Sequence, residues 1–370
     1  MKKYFLLFAF SFLFCSFLQN SNLNSLLILD NDNVTLVFVG DIMGHSPQFE
    51  AAYNSQTNSY NYDICFQHVK SYISNADFAL ANLEVPLAGM PYSGYPNFSS
   101  PDALLDALKN AGFRILQTAN NHVLDRGKFG MERTIRQIEK RNLLHMGSYV
   151  DAIQRDTLYP LIVESKGVKI AFLNCTYGTN THEVSEPNRV NYIDTLEIIN
   201  DIKRANNLNA DFRIMTIHWG TEYELQANEA QRKIAQFLVN HGINLIIGSH
   251  PHVVQNAEIF YDKDSIPVPV FYSLGNFISN QRKLNTNGGI LVKVEIDAKS
   301  KTFKNSSFLP VYVHRGILNG EYQYHLIPTS DFIQKPSNYK ILTSDSISLT
   351  VFDKETRSRL KNINLIQNNQ

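Results

Sequence analysis

From residue 33 to residue 272 the chain alternates short apolar runs with segments of helical period. The runs fall at 34–39, 78–81, 114–117, 168–173, 212–217, 245–247 and 268–272, and several are unbroken by polar residues. A strand with one wet face alternates in polarity, so an unbroken run needs cover on both faces. Helical patterns lie between the runs, at 102–109, 129–141, 195–205 and 227–240. In the second, Met131, Ile135 and Ile138 fall on one stripe; Gly112 and Gly242 stop the first and the last. This alternation predicts an α/β fold with helices over a sheet.

Past residue 287 the pattern changes. Ile290, Val292, Val294 and Ile296 alternate with other residues, 297–301 reads as a turn, and 303–314 reads as a return strand. A C-terminal β-hairpin closing the fold is expected there. No internal repeat or low-complexity linker interrupts 33–315, which reads as one domain. Residues 316–370 read as a peripheral extension with a frayed tail.

Lys2 and Lys3 precede an apolar run over 5–18, followed by the polar stretch 19–22. That is the layout of an export signal over 1–22, and the run is shorter than the ~20 residues of a membrane span. An uncleaved N-terminal anchor and lipidation at Cys15 are the other readings. Export leaves Cys65 and Cys175, which read as two buried thiols, a single disulfide being the alternative. Lys plus Arg balances Asp plus Glu at 34 each, so the chain lacks the basic excess of a general nucleic-acid binder.

Polar residues follow five of the runs. After 34–39 comes Gly40-Asp41, after 78–81 Asn82-Leu83-Glu84, after 114–117 Asn120-Asn121-His122, after 212–217 His218, and after 245–247 Gly248-Ser249-His250-Pro251-His252. In α/β sheets, ligands bind beyond the carboxyl ends of strands, so ends from one sheet region bring these groups together. Carboxylates, an amide oxygen and imidazoles suit transition-metal dications better than magnesium or calcium. Cations about 3.5–4 Å apart activate water and steady an in-line displacement. Gly40, Gly220 and Gly248 would let the backbone turn and approach a substrate.

Each residue also has a plainer reading. Asp41 fits a helix N-cap, Glu84 a solvated carboxylate, and Asn120 and Asn121 turn formers. A lone His218 or His250 is more often structural than ligating. The pair His250-x-His252 is stronger, because alternate residues of an extended chain point the same way. Recurrence at successive strand ends favours one shared site.

Gly40-Asp41-x-Met43, Asn82-Leu83-Glu84, Asn120-Asn121-His122 with Asp125-x-Gly127-x-x-Gly130, His218-Trp219-Gly220-x-Glu222, Gly248-x-His250-Pro251-His252-x-x-Gln255 and Ser273-Leu274-Gly275-Asn276-Phe277 stand in this order. Together they resemble the CapA, or poly-γ-glutamate capsule biosynthesis, family. That family is similar to the calcineurin-like metallophosphatases, which implies a metallophosphatase-like four-layer α/β/β/α sandwich. The resemblance implies metal ligands at Asp41, Glu84, Asn121, His218, His250 and His252, and a general acid at His122. Asp125 would orient His122 or cap the next helix. Asn120, Glu222 and Asn276 would contact substrate. The chain departs from the phosphatase pattern at two positions. Met43 stands where a ligand His is usual, and a thioether is a weak ligand for such cations. Glu84 replaces the usual Asp.

The resemblance implies one or two divalent ions (Mn, Zn or Fe) and metal-assisted hydrolysis or transfer. It places the protein with an anionic surface polymer or its precursor, beside membrane-bound capsule synthesis machinery, in the periplasm or cell envelope. Two other functions fit the same residues: a non-catalytic polymer-binding or assembly protein, and an extracytoplasmic phosphoesterase.

Overall fold

The computed structural model describes residues 32–318, 321–339 and 341–366. The expected export signal, with Cys15, lies outside them. Among the described residues no helix is long and apolar enough to cross a membrane.

The strands come in three blocks along the chain. β1 (Asn33–Ile42), β2 (Phe78–Leu83), β3 (Ile115–Gln117) and β4 (Leu144–Met146) begin a large sheet. β5 (Leu161–Ser165), β6 (Val168–Thr176), β7 (Phe212–His218), β8 (Leu245–Ser249), β9 (Ala257–Tyr261) and β10 (Pro267–Phe271) make a second sheet. β11 (Gly288–Asp297), β12 (Thr302–Leu318) and β13 (Glu321–Pro328) return to the first. The large sheet runs β13-β12-β11-β1-β2-β3-β4, and the small one β9-β10-β8-β7-β6-β5. β1, β2, β3 and β4 are mutually parallel, as are β6, β7, β8 and β10.

The sheets face each other. Phe38 of β1 meets Phe172 of β6 edge-to-face at 6.3 Å, inside an apolar cluster drawn from both sheets. Alternation then sends Val37 and Val39 to the opposite face of β1. There they pack with α1 (Ala103–Ala111) and the short helices Asp63–Phe66 and Lys70–Ser74. On the small sheet Ala171 turns away from Phe172 and packs with Ala205 of α3 (Thr195–Asn207). The result is helix, sheet, sheet, helix, which is why β1 is buried along its whole length. The stripe Met131, Ile135 and Ile138 is buried on α2 (Gly127–Lys140), and Asn228 caps α4 (Glu229–Asn240) through a bond from Gln231 N–H. Cys65 and Cys175 are buried free thiols.

The C-terminal region departs from expectation. The hairpin β11–β12 exists, but β11 pairs antiparallel with β1 in the interior of the sheet. It adds two strands to the large sheet. Described residues beyond 316 are not peripheral. β13 pairs with β12 from Val311↔Pro328 to Leu318↔Glu321, and Tyr324, Leu326 and Ile327 are buried. A further helix, α5 (Thr343–Arg359), buries Leu349 and Phe352, with the Phe352 ring 6.2 Å from that of Tyr312 on β12. The sequence of α5 has Ser and Thr at many positions and no regular apolar stripe, so its period did not announce a helix.

Candidate metal centre

β1, β2 and β3 of the large sheet and β7 and β8 of the small sheet deliver their polar ends to one place. These ends come from two facing sheets, each contributing the carboxyl ends of parallel strands, in the four-layer α/β/β/α arrangement expected from the resemblance. Asp41 lies within β1, at a register irregularity between Val39 and Asp41, and not at a helix N-cap. Asp41, Glu84 and His218 are fully buried, and Asn121, His250 and His252 nearly so.

Two triads share one carboxylate. Ligand atoms of Asp41, Glu84 and His252 lie within 4.8 Å of one another, and so do those of Glu84, His218 and His250. Glu84 Oε1 is 3.6 Å from His218 Nε2 and 3.8 Å from His252 Nε2. Asp41 Oδ2 is 3.2 Å from His252 Nδ1, though without hydrogen-bond geometry. Asp41 Oδ2, Glu84 Oε1 and His250 Nδ1 are all buried with no hydrogen-bond partner. Orphaned buried polar atoms are costly, and three across the two triads fit bound cations that satisfy them. The mixed carboxylate and imidazole set fits a transition-metal dication.

Electrostatics agree with that fit. Burial, and then the Asp41 carboxylate beside it, push the Glu84 carboxyl well above its usual range. Burial, and then the neighbouring imidazoles, push His218 well below its ordinary value. His250 is pushed down to about 3 by burial first and His252 second, against the pull of Asp41. Neutral imidazoles are ready ligands, and a cation offsets the cost of ionising Glu84.

Surrounding groups orient the ligands. His218 Nδ1 meets Ser249 Oγ at 2.9 Å, and its Nε2 meets Asn121 Oδ1 at 2.9 Å. His252 Nδ1 meets Asn276 Oδ1 at 3.1 Å. Asn82, a motif residue to which the sequence assigned no role, sits at the hub. Its Nδ2 is 2.9 Å from Asp41 Oδ1, 3.3 Å from Glu84 Oε2 and 3.3 Å from His218 Nδ1. Alternate residues of a strand share a face, so Glu84 already pointed to Asn82. Tyr177 and Tyr223 form a rim that the sequence did not assign. Tyr177 stacks on His218 at 6.2 Å and lies 4.6 Å from His250, and Tyr223 lies 6.3 Å from His252.

His122 is nearly buried beside the triads, with Nδ1 2.8 Å from Asp125 Oδ2. Asp125 does not cap α2, whose N-cap is Arg126.

Several expectations change. Asn120 is fully buried; its Nδ2 donates to Asn82 Oδ1 and the Leu83 carbonyl, and its Oδ1 accepts the His122 N–H. It braces the ligands and has no free group for substrate. Asn276 spends its Nδ2 on His252 O, Gln281 Oε1 and Thr286 O, so it positions His252 instead of donating into the site. Glu222, by contrast, is exposed beside the rim residue Tyr223, where substrate contact was expected. His250 and His252 do not converge through extended backbone. Their φ values are 97° and 57°, left-handed conformations that non-glycine residues rarely adopt. A Cβ on Gly40 would lie 1.9 Å from Gly275 O, and one on Gly248 1.9 Å from Tyr272 O. Those glycines allow close chain packing, not substrate approach. Met43 is buried in an apolar cluster.

A family model described as bacterial capsule synthesis protein PGA_cap matches residues 35–281. The capsule biosynthesis protein CapA of Bacillus anthracis is 27% identical over 337 residues, covering 88% of this chain and 77% of that one. The PGA biosynthesis protein CapA of Bacillus subtilis is 27% identical over 283 residues, covering 72% and 68%. A solved phosphatase from Mycoplasma pneumoniae aligns with 76% of this chain and 94% of its own at 16% identity, with a TM-score of 0.47. The chain belongs to the PGA_cap family of bacterial capsule synthesis proteins.

Proposed function

We propose that the protein is exported and uses a divalent-metal centre for hydrolysis or transfer on an anionic surface polymer of the poly-γ-glutamate type, or on its precursor. The observation that carries this reading is the set of buried, unpartnered ligand atoms on Asp41, Glu84 and His250, within two triads that share Glu84. Asp41, Glu84 and His252 would hold one cation, and Glu84, His218 and His250 a second, with Asn121 beside His218. Manganese, iron or zinc suits this donor set. Such a cation supplies Lewis acidity and lowers the pKa of water. Asn276 and Ser249 keep the imidazoles turned toward the centre, and the buried walls exclude bulk water. His122, steadied by Asp125, donates a proton to the leaving group or stabilises its charge. The Lys2-Lys3 start and the apolar run behind it support export to the cell envelope, with the N-terminus as leader or anchor.

Met43 favours a second reading. An apolar side chain where a ligand is usual fits an assembly protein that binds polymer without turning it over. Elemental analysis of the purified protein, followed by assays on chromogenic phosphate esters and on polymer with added manganese, separates the readings. Stoichiometric metal with turnover supports the hydrolase, and ester turnover alone supports a phosphoesterase. Metal without any turnover supports the assembly role. Absence of metal from protein purified without chelator and then offered manganese would sink the centre itself.

A further inference from the structure

A further imidazole, one ring removed from His122, has no task assigned. His45 is the N-cap residue of the helix Ser46–Ala52. Its ring meets Phe98 edge-on at 5.3 Å, and Phe98 also meets His122 edge-on at 4.8 Å. The Asn280 N–H donates to His45 Nδ1 at 3.3 Å. A backbone N–H can only donate, so Nδ1 presents its lone pair and the neutral ring carries its proton on Nε2.

Gln48 Oε1, 3.1 Å from the same Nδ1, argues for the opposite tautomer. That oxygen already accepts the His45 main-chain N–H at 2.9 Å, while the Gln48 amide nitrogen is turned to the Met43 carbonyl at 3.0 Å. The backbone donor therefore decides. Among the described residues no hydrogen bond engages His45 Nε2, and the atom is not among the buried unpartnered ones, so this N–H is reachable from outside the ring's packing. Burial, with the charges of His252, His122 and Arg282 adding to it against the Gln48 contact, pushes the ring down to about 4 and keeps it neutral. His45 belongs to neither ligand triad.

We propose that His45 contacts substrate, its Nε2–H donating to an oxyanion oxygen held at the metal centre. This rests on the reading of the centre as a metal site that binds an anionic group. A neutral donor there orients the oxyanion without competing for the cation.

The test uses manganese-loaded full-length protein, with inorganic phosphate as the probe in titration calorimetry and metal content measured separately. His45→Ala should keep the manganese stoichiometry of the wild type but bind phosphate about tenfold more weakly, the loss of one hydrogen bond worth about 1.4 kcal/mol. His45→Gln, whose amide can donate, should recover most of that loss. The proposal is overturned if His45→Ala loses manganese, which would make it a ligand, or if phosphate affinity is unchanged. It is equally overturned if His45→Gln binds as weakly as His45→Ala, which would reduce the ring to packing on Phe98. Wild-type protein that takes up manganese but no phosphate overturns this proposal alone. Wild-type protein that takes up no manganese sinks the metal reading, and this one with it.

Discussion

His122 and Asp125 are tied by a 2.8 Å contact between Nδ1 and Oδ2, and the same carboxylate oxygen accepts the Phe98 N–H at 2.9 Å. One buried oxygen thus fixes both the imidazole and the loop that carries Phe98. Asp125→Ala would strand two buried donors and should cost about 2–3 kcal/mol. Asp125→Asn keeps an acceptor and should cost less. Urea denaturation measures both, and equal midpoints for the wild type and Asp125→Ala would contradict the arrangement.

The sharing of Glu84 predicts an unequal response to ligand removal. His250→Ala should lower bound metal from two ions to one, because Asp41, Glu84 and His252 remain. Glu84→Ala should lose both. Metal content by elemental analysis checks this, and retention of two ions by Glu84→Ala would rule out the shared carboxylate.

Glu84 also predicts a pH dependence in the metal-free protein. Its folded pKa is raised, so the folded chain keeps a proton that the unfolded chain releases near about 4.3. The stability from this group is full below that value and is lost as pH rises through the folded pKa. Glu84→Gln cannot ionise, so the metal-free variant should gain on the wild type as pH rises, and excess manganese should erase the gain. His250, pushed from 6.5 to about 3, acts in the opposite sense, its contribution being lost as pH falls through that window. Both proteins share that loss, so it largely drops out of the difference. Melting curves in chelator across this range provide the check, and a gap that narrows with rising pH would refute the assignment.

Phe352 of α5 is buried against Tyr312 of β12. Phe352→Ala should cost about 3–5 kcal/mol, as for a large core residue. A surface-like change below about 0.5 kcal/mol would mean that the C-terminal helix is peripheral after all.

How much of this was legible depends on distance along the chain. The apolar-rich runs that became β1, β6, β7 and β8 were readable because burial on both faces leaves a local signature. The amphipathic stripe of α2 was readable for the same reason. Asp41, Glu84, His218, His250 and His252 were readable as a set because each follows or ends such a run. The helix α5 and the strand β13 were not, since their burial depends on partners far away in sequence.

The amino-acid order alone determined where chemistry-bearing side chains stand relative to strand ends, because strand period and apolar continuity are local properties. Only the tertiary structure decided that Glu84 serves both triads. It also turned Asn120 and Asn276 inward as braces. Those outcomes depend on distances between segments far apart in sequence, which no local pattern encodes.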